Sequence, residues 1–536
     1  MKYPIGIQSF ETLRKGGYVY VDKTDLIYKL AEGHIYFLAR PRRFGKSLLV
    51  STLKAYFEGR KDLFEGLKMM DLEQEWKKYP VLLFDFNVGD KRKPTGLRDY
   101  LLNEISGYET VYGIEPVLAS DTEKPTLDVS LRFFHLIEEL HKKTGQRVVV
   151  LIDEYDKPLL DLLETDNPDD EKQLKENREL LKNFFSIFKA TDDHLRFVML
   201  TGITKFSQVS MFSGFNQPDD ISLSTRYDTL LGITEQELHT VFAHSIDELA
   251  DSMDCTVDEA KSALKQRYDG YHFSRRLIDV YNPFSILNTF ANLDMRDYWF
   301  KSGTPSYLVR LLDKTHEEVM NFTGRYYGEQ TFIDYKADTE MPLPMIFQAG
   351  YLTIKDIDRE FETYLLDYPN REVQQGLITL LANHYLQPQS DTAFWVQKIV
   401  RALRMADLDQ VRKVFTAFLA ETPYSMRPKK DQKDRELYFH YTFYLILRLI
   451  SCYTIYTEKQ LSEGRADCIV ETGDYVYIFE FKLDGTADEA LQQIKDRGYA
   501  KAYEAGQCPI YIIGVSFSSK TGTIEEWKQE KVFTLT

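Results

Sequence analysis

The sequence predicts an α/β protein of several domains: an N-terminal parallel-sheet domain of the P-loop type, a helical and winged middle region, and a compact α/β module at the C-terminus. Three observations predict it. Residues 1 to about 230 alternate short, almost wholly apolar runs with longer amphipathic ones. One apolar run leads directly into RPRRFGKS. Near the other end, Asp467 and the triplet Glu480-Phe481-Lys482 sit on two consecutive β-favouring runs joined by a turn at Thr472-Gly473-Asp474.

The strands come first. Ile35–Ala39, Val81–Phe86, Val148–Ile152 and Phe197–Thr201 are continuous apolar runs, as expected where both sheet faces are covered. Helical patterns over Leu127–Lys143 and Lys172–Ala190 separate them, which favours a parallel sheet. From 231 to 330 the pattern is helical, and TEQEL at 234–238 reads as a capped helix start. Residues 331–430 mix a β-rich piece (QAGYLTIKDI, FETYLLDYPN) with amphipathic helices. The basic stretch RPKKDQKDR (427–435) reads as a linker into the apolar helix LYFHYTFYLILRLI. The expected domains are therefore 1–230, 231–330, 331–430 and 431–536.

A chain of 536 residues is long enough for roughly three to four cores. Apolar content of 43% and aromatic content of 14% exclude extended disorder as the main state. The net charge of −16 argues against non-specific coating of nucleic acid and leaves only a local site for it. Cys255, Cys452, Cys468 and Cys508 form no C-x-x-C pair, so neither a zinc site nor a disulfide framework is expected. No signal-peptide core and no membrane-length apolar run is present, so the expected location is cytoplasmic, without a membrane partner.

In the first candidate site, Gly45, Lys46 and Ser47 fit the end of G-x-x-x-x-G-K-[ST], whereas Arg40 holds the first glycine slot. Strand HIYFLA, loop and helix LLVSTLKAYF give the setting such a loop needs, with backbone N–H groups and a helix N-terminus facing phosphates. Lys46 is expected on the β/γ-phosphates of ATP and Ser47 on Mg²⁺. RVVVLIDEYD adds Asp153 and Glu154 at a buried strand's end. There Asp153 suits the metal and Glu154 the attacking water; the plainer reading is a helix cap. Thr201 ends another strand and suits contact with γ-phosphate or water, or simply satisfies backbone. Arg226 reads as an arginine finger or a solvated charge.

The segments YPIGIQSFETLRKGGYVYVDKTDLIYKL, LARPRRFGKSLLVSTLKAYFEG, VVLIDEYDKPL and FVMLTGITKFSQVSMFSGFN resemble the bacterial AAA-ATPase-like family, which writes its own loop R-P-R-R-F-G-K-S. The resemblance continues through LPMIFQAGYLTIKD and LLDYPNREV. It implies ATP binding by the loop residues Arg40, Pro41, Arg42, Arg43, Phe44, Gly45, Lys46, Ser47 and Leu48. Pro41 would stiffen the turn, and Arg42 or Arg43 would add charge at the phosphates. It also implies a segment near adenine containing Tyr20, Asp22 and Lys23, and a C-terminal PD-(D/E)XK nuclease-like domain.

In that domain, period-2 alternation puts Glu480 and Lys482 on one face, opposite Phe479 and Phe481. Asp467 on the neighbouring strand can join them. Two adjacent carboxylates call for a divalent cation, Mg²⁺ or Mn²⁺, which activates a water that Lys482 positions. The D-x12-E-x-K spacing resembles the PD-(D/E)XK phosphodiesterase core, and Glu436 at the upstream helix matches the acid that fold often adds. Gln493 and Tyr499 match the family's A-L-x-Q-I…Y-A and are candidates for substrate contact or for packing on the sheet. The plain alternative for the acids and lysine is a surface salt-bridge cluster. Arg427, Lys429, Lys430, Lys433 and Arg435 are candidates for a DNA-facing patch or a solvated linker.

The expected function is an ATP-regulated, metal-dependent nuclease, with DNA as its partner at the C-terminal domain and a homo-oligomer as its assembly. The alternatives are a signalling or scaffold ATPase whose nuclease-like fold only binds DNA or a partner, and a nucleic-acid motor.

Overall fold

The computed structural model describes residues 1–116, 129–163, 168–205, 218–303, 322–333, 341–386, 392–421, 446–447, 454–461, 464–504 and 508–533. They form two compact units, Met1–Gln374 and Gln375–Thr536.

The first unit is built on a five-stranded sheet. Strands β1 (Ile35–Ala39), β2 (Val81–Asp85), β3 (Val148–Asp153), β4 (Leu195–Gly202) and β5 (Asp219–Asp220) lie in the order β2-β3-β4-β1-β5. Every pairing is parallel. All six residues of β3 are buried, so its sequence has no solvent face to mark with polar residues. Phe84 of β2, Phe133 and Phe184 form one aromatic knot that docks the helices Val129–Thr144 and Pro168–Ala190, with Phe133 and Phe184 stacked at 4.4 Å. The helix after β1, Lys46–Phe57, packs Phe57 on Phe197 of β4.

A helical bundle follows. Thr234 and Thr256 each close a capping box, with Glu237 and Glu259 respectively, as S/T-x-x-E at a helix start should. These helices bury Leu238, Phe242, Ile246, Leu249, Leu264 and Phe290 in one core, against which Tyr3, Val19 and Val21 of the N-terminal segment rest. The two-residue strands β6 (Ile233–Thr234) and β7 (Val280–Tyr281) pair beside it. Then β8 (Arg325–Gly328), β9 (Thr353–Asp358) and β10 (Thr363–Asp367) make an antiparallel sheet in the order β8-β10-β9. The boundary between the units falls inside one helix, Arg371–Leu386.

In the second unit, strands β11 (Thr454–Leu461), β12 (Gly464–Glu471), β13 (Val476–Leu483), β14 (Ile510–Phe517) and β15 (Ile524–Phe533) pair in sequence order. All pairs are antiparallel except β13–β14. A parallel pair needs a crossover, and the helix Ala487–Asp496 supplies it. Gly514 of β14 lets that helix come close, since a Cβ there would lie 2.2 Å from the Ala487 carbonyl oxygen.

The crossover helix ends at Asp496. Gly498 takes a left-handed φ of 59°, the usual helix stop, and a short 3₁₀ turn Tyr499–Tyr503 follows. Glu436, the basic stretch 427–435 and most of the apolar run after it lie outside the described residues, as does 206–217. Among the described residues no helix is long and apolar enough to cross a membrane.

Candidate functional site

The first site lies at the C-terminal ends of the parallel strands, where β1 and β3 flank β4. Arg40 N–H donates to the Gly202 carbonyl at 3.1 Å, anchoring the start of the loop to the end of β4. The loop then turns through two left-handed residues, Arg43 (φ 69°) and Gly45 (φ 99°), before the Lys46–Phe57 helix begins. Successive N–H groups in such a turn face one concavity, which suits an anion.

Lys46 is 4% exposed and donates to the carbonyls of Arg40 (3.0 Å) and Pro41 (3.2 Å), the loop's own backbone. Its Nζ stands 4.0 Å from Glu154 Oε1. Asp153 is 5% exposed, and Thr201 donates its hydroxyl to Asp153 Oδ1 at 2.6 Å. Burial raises the Asp153 pKa, while hydrogen bonding from Ser47 and Thr201 opposes the rise. Thus Lys46, Ser47, Asp153, Glu154 and Thr201 come together as the spacing predicts. Thr201 does so by holding the acid.

Glu154 adopts φ 54°, a left-handed conformation that a glutamate rarely takes, and it lines the crevice. Asp156, fully buried, accepts N–H bonds from Ile203 (2.9 Å) and Thr204 (2.6 Å) and so ties the β3 and β4 ends together.

The crevice has about 1560 Å³ of open space and is lined by Gly6, Gln8, Arg42, Arg43, Gly45, Lys46, Ser47, Leu48 and Glu154, among others. Asp85, Asn87, Lys157 and Asp161 also line it. Asp85 and Asn87 were legible only as the polar end of an apolar strand. A second, apolar pocket of about 680 Å³ adjoins it, sharing Gly45, Leu48, Pro283 and Leu287. Val19, Tyr20, Val21, Lys23 and Ile233 line that pocket. Lys23 donates to Glu237 at 2.6 Å, whereas Asp22 spends its carboxylate on Thr24 and Lys68 and lies outside both linings.

Three loop side chains face away from the crevice, contrary to the expectation that they bind nucleotide. Arg40 is 1% exposed, with its guanidinium stacked 4.1 Å from the Phe273 ring centre and donating to the Ser222 carbonyl. Burial pulls its pKa down to about 9. Phe44 packs on Tyr271 (4.9 Å) and Phe273 (5.2 Å). Pro41 sits against Gly350, where a Cβ would come within 2.6 Å of it. The reason is shared: the loop is a wall with two sides, and these residues bury its rear on the middle segment. Phe44 also lines the apolar pocket beside the crevice. Arg226 is exposed and outside the crevice lining.

The second site forms on β12 and β13. Their register, Cys468 opposite Phe479 through Glu471 opposite Val476, sets Asp467 against Glu480 if continued. The ladder stops there, and Asp467 Oδ2 instead accepts the Phe481 N–H at 2.8 Å. Glu480 is 1% exposed, and among the described residues its Oε2 has no hydrogen-bond partner. Burial, and then the charge of Asp467, raise its pKa to about 8. Lys482 Nζ lies 3.6 Å from Glu480 and donates to Gln493 Oε1 at 2.7 Å, while Gln493 Nε2 donates to Glu480. The opposite face carries Phe479 and Phe481, which pack on Trp527 and Phe517 as alternation requires.

Of the two readings of Tyr499, substrate contact or packing on the sheet, its surroundings match packing. It is 2% exposed, and its hydroxyl donates to the Arg465 carbonyl at 2.8 Å, pinning the 3₁₀ turn to β12.

Asp467 and Glu480 fit a divalent cation. A buried carboxylate oxygen without a donor beside a second carboxylate gains from a hard cation in place of a proton. Glu436, the third acid expected here, lies outside the described residues.

The first unit and the second thus define a P-loop ATPase-like protein joined to a nuclease-superfamily module. Residues 4–212 match the family described as predicted AAA-ATPase, and residues 434–527 match the PD-(D/E)XK nuclease superfamily. The chain is similar to a protein of Azotobacter chroococcum mcd 1 described as an uncharacterized protein in the vnfD 5′ region, 36% identical over 529 residues that cover 98% of each. The chain belongs to the AAA-ATPase-like family and carries a PD-(D/E)XK nuclease-superfamily domain near its C-terminal end.

Proposed function

We propose that this protein binds ATP in the crevice of its first unit and that nucleotide state regulates a metal-dependent phosphodiesterase site in its second unit. The observation that carries this reading is Glu480: a buried carboxylate with a free oxygen, beside Asp467 and within 3.6 Å of Lys482. A surface salt-bridge cluster would not bury its acid. The substrate is nucleic acid, DNA before RNA.

At the first site the loop N–H groups and Lys46 would hold the phosphates, Ser47 and Asp153 would hold Mg²⁺, and Glu154 would orient and deprotonate the attacking water. At the second, Asp467 and Glu480 would hold Mg²⁺ or Mn²⁺, which when bound would supply Lewis acidity and lower the pKa of water. Lys482 keeps its ammonium toward the reacting phosphate oxygens, and Gln493 fixes the spacing of Glu480 and Lys482. The enclosed setting strengthens each of these interactions.

A second reading is a scaffold ATPase whose nuclease-like fold only binds DNA or a partner. Incubation of the full chain with single- and double-stranded DNA and RNA, with Mg²⁺ or Mn²⁺, separates the two. Cleavage abolished by Lys482→Ala supports the first; ATP-dependent capture of intact DNA supports the second.

A further inference from the structure

The phosphate loop has an inner face on the crevice and an outer face held by the middle segment, and one of its outer contacts continues onward by hydrogen bonds. Trp299 Nε1–H donates to the Arg42 carbonyl at 3.0 Å. The backbone N–H of Trp299 donates to Glu372 Oε1 at 2.7 Å. The other oxygen, Oε2, accepts the Ser285 hydroxyl at 2.7 Å. Ser285 lies in the first turn of the helix Pro283–Asn292, whose Pro283 and Phe284 line the crevice, with the Arg43 guanidinium 4.8 Å over the Phe284 ring. Glu372 is therefore bonded both to the group that holds the loop and to the helix that forms the facing wall.

Glu372 is the second residue of the helix Arg371–Leu386, which starts in the first unit and runs past Gln374 into the second. It is 1% exposed, and among the described residues it has no ion-pair partner within 4.0 Å. A buried, unpaired carboxylate is a poor source of stability. Its two oxygens instead fix two elements at defined positions relative to the start of the connecting helix.

We propose that Trp299 and Glu372 are a relay that reports nucleotide occupancy of the loop to the start of the helix Arg371–Leu386. This rests on the reading of the crevice as a nucleotide site. A ligand that draws the loop N–H groups inward moves the Arg42 carbonyl, to which Trp299 is fixed. Trp299 and Ser285 then shift together on Glu372. Trp299 and Glu372 are positioning residues: neither lines the crevice.

The test is hydrogen–deuterium exchange of the full chain, read on peptides from 371–386, without nucleotide and with saturating Mg²⁺ and either ADP or a non-hydrolysable ATP analogue. Fluorescent-nucleotide binding is measured in parallel. In the wild type, nucleotide is expected to change exchange in that helix by roughly fivefold or more, the lower end of ordinary allosteric coupling. Trp299→Phe, which removes only the indole donor, is expected to abolish the change at saturation, whatever its affinity. Should that variant fold poorly, Ser285→Ala is read in the same way. A Trp299→Phe or Ser285→Ala protein that binds nucleotide and keeps the full wild-type response overturns the relay alone. Wild-type protein that binds no nucleotide overturns the crevice reading and the relay with it.

Discussion

Lys482 donates to Gln493 Oε1 at 2.7 Å, and the same amide donates from Nε2 to Glu480. One side chain from the crossover helix thus spaces the acid and the base of the strand below it. Gln493→Ala should therefore lower cleavage or metal affinity by roughly 10–100-fold, the usual effect of removing a residue that orients ligands. Lys482→Ala should lower cleavage further, by about 100-fold or more, as for loss of a positioned catalytic group. Steady-state cleavage of a labelled oligonucleotide measures both, with circular dichroism confirming that each variant is folded.

Metal binding at this site should depend on pH. Burial and Asp467 raise the Glu480 pKa to about 8, so without metal it is mostly protonated at pH 7. A cation must displace that proton. Apparent Mn²⁺ affinity is expected to rise about tenfold per pH unit up to about pH 8 and then level off. Calorimetry at pH 6.5, 7.5 and 8.5 checks the slope. Glu480→Gln should remove it along with most of the binding.

At the first site, Lys46→Ala leaves the phosphates without their charged donor, worth about 1.5–3 kcal/mol, or roughly 10–100-fold in nucleotide affinity. Glu154→Gln should keep binding and lower hydrolysis by about 100-fold or more. Binding by fluorescent nucleotide and turnover by phosphate release separate the two effects. Wild-type turnover in Glu154→Gln would remove Glu154 from the role of base.

Glu372 predicts a pH-dependent stability. Burial raises its pKa from 4.5 to about 7 in the folded protein. The folded state then holds its proton where the unfolded state loses it, so this group's contribution is fully present below about pH 4.5 and is lost as pH rises to about 7. Glu372→Gln carries no such slope. Its thermal midpoint relative to wild type should climb between pH 4.5 and 7 and stay level above, by an amount corresponding to at most about 3 kcal/mol. Scanning calorimetry across that range checks it.

Much of this was legible in the residues. Continuous apolar runs marked β1 to β4 to within two residues, because a strand buried on both faces leaves no polar register to confuse. Thr234 and Glu237 announced their capping box, and period two put Glu480 and Lys482 together. What failed was tertiary. Arg40 looks like a phosphate ligand because arginines beside a Gly-Lys-Ser turn are cationic. Which side of a loop a side chain takes, however, depends on Phe273, more than 230 positions along the chain. Tyr499 looks like part of a helix facing the site, yet Gly498 ends the helix first and turns the ring inward. Glu372 carried no local signal, since its partners Ser285 and Trp299 are distant in sequence and undistinguished in composition.

Control of cleavage at Lys482 by nucleotide state at the loop is decided by one DNA-cleavage assay of the full chain, with Mn²⁺ or Mg²⁺, with and without ATP, on wild type, Lys46→Ala and Lys482→Ala. Cleavage is expected to change with ATP in the wild type, to lose its ATP response in Lys46→Ala, and to disappear in Lys482→Ala with or without ATP. Cleavage that survives Lys482→Ala, or an ATP response that survives Lys46→Ala, would contradict it.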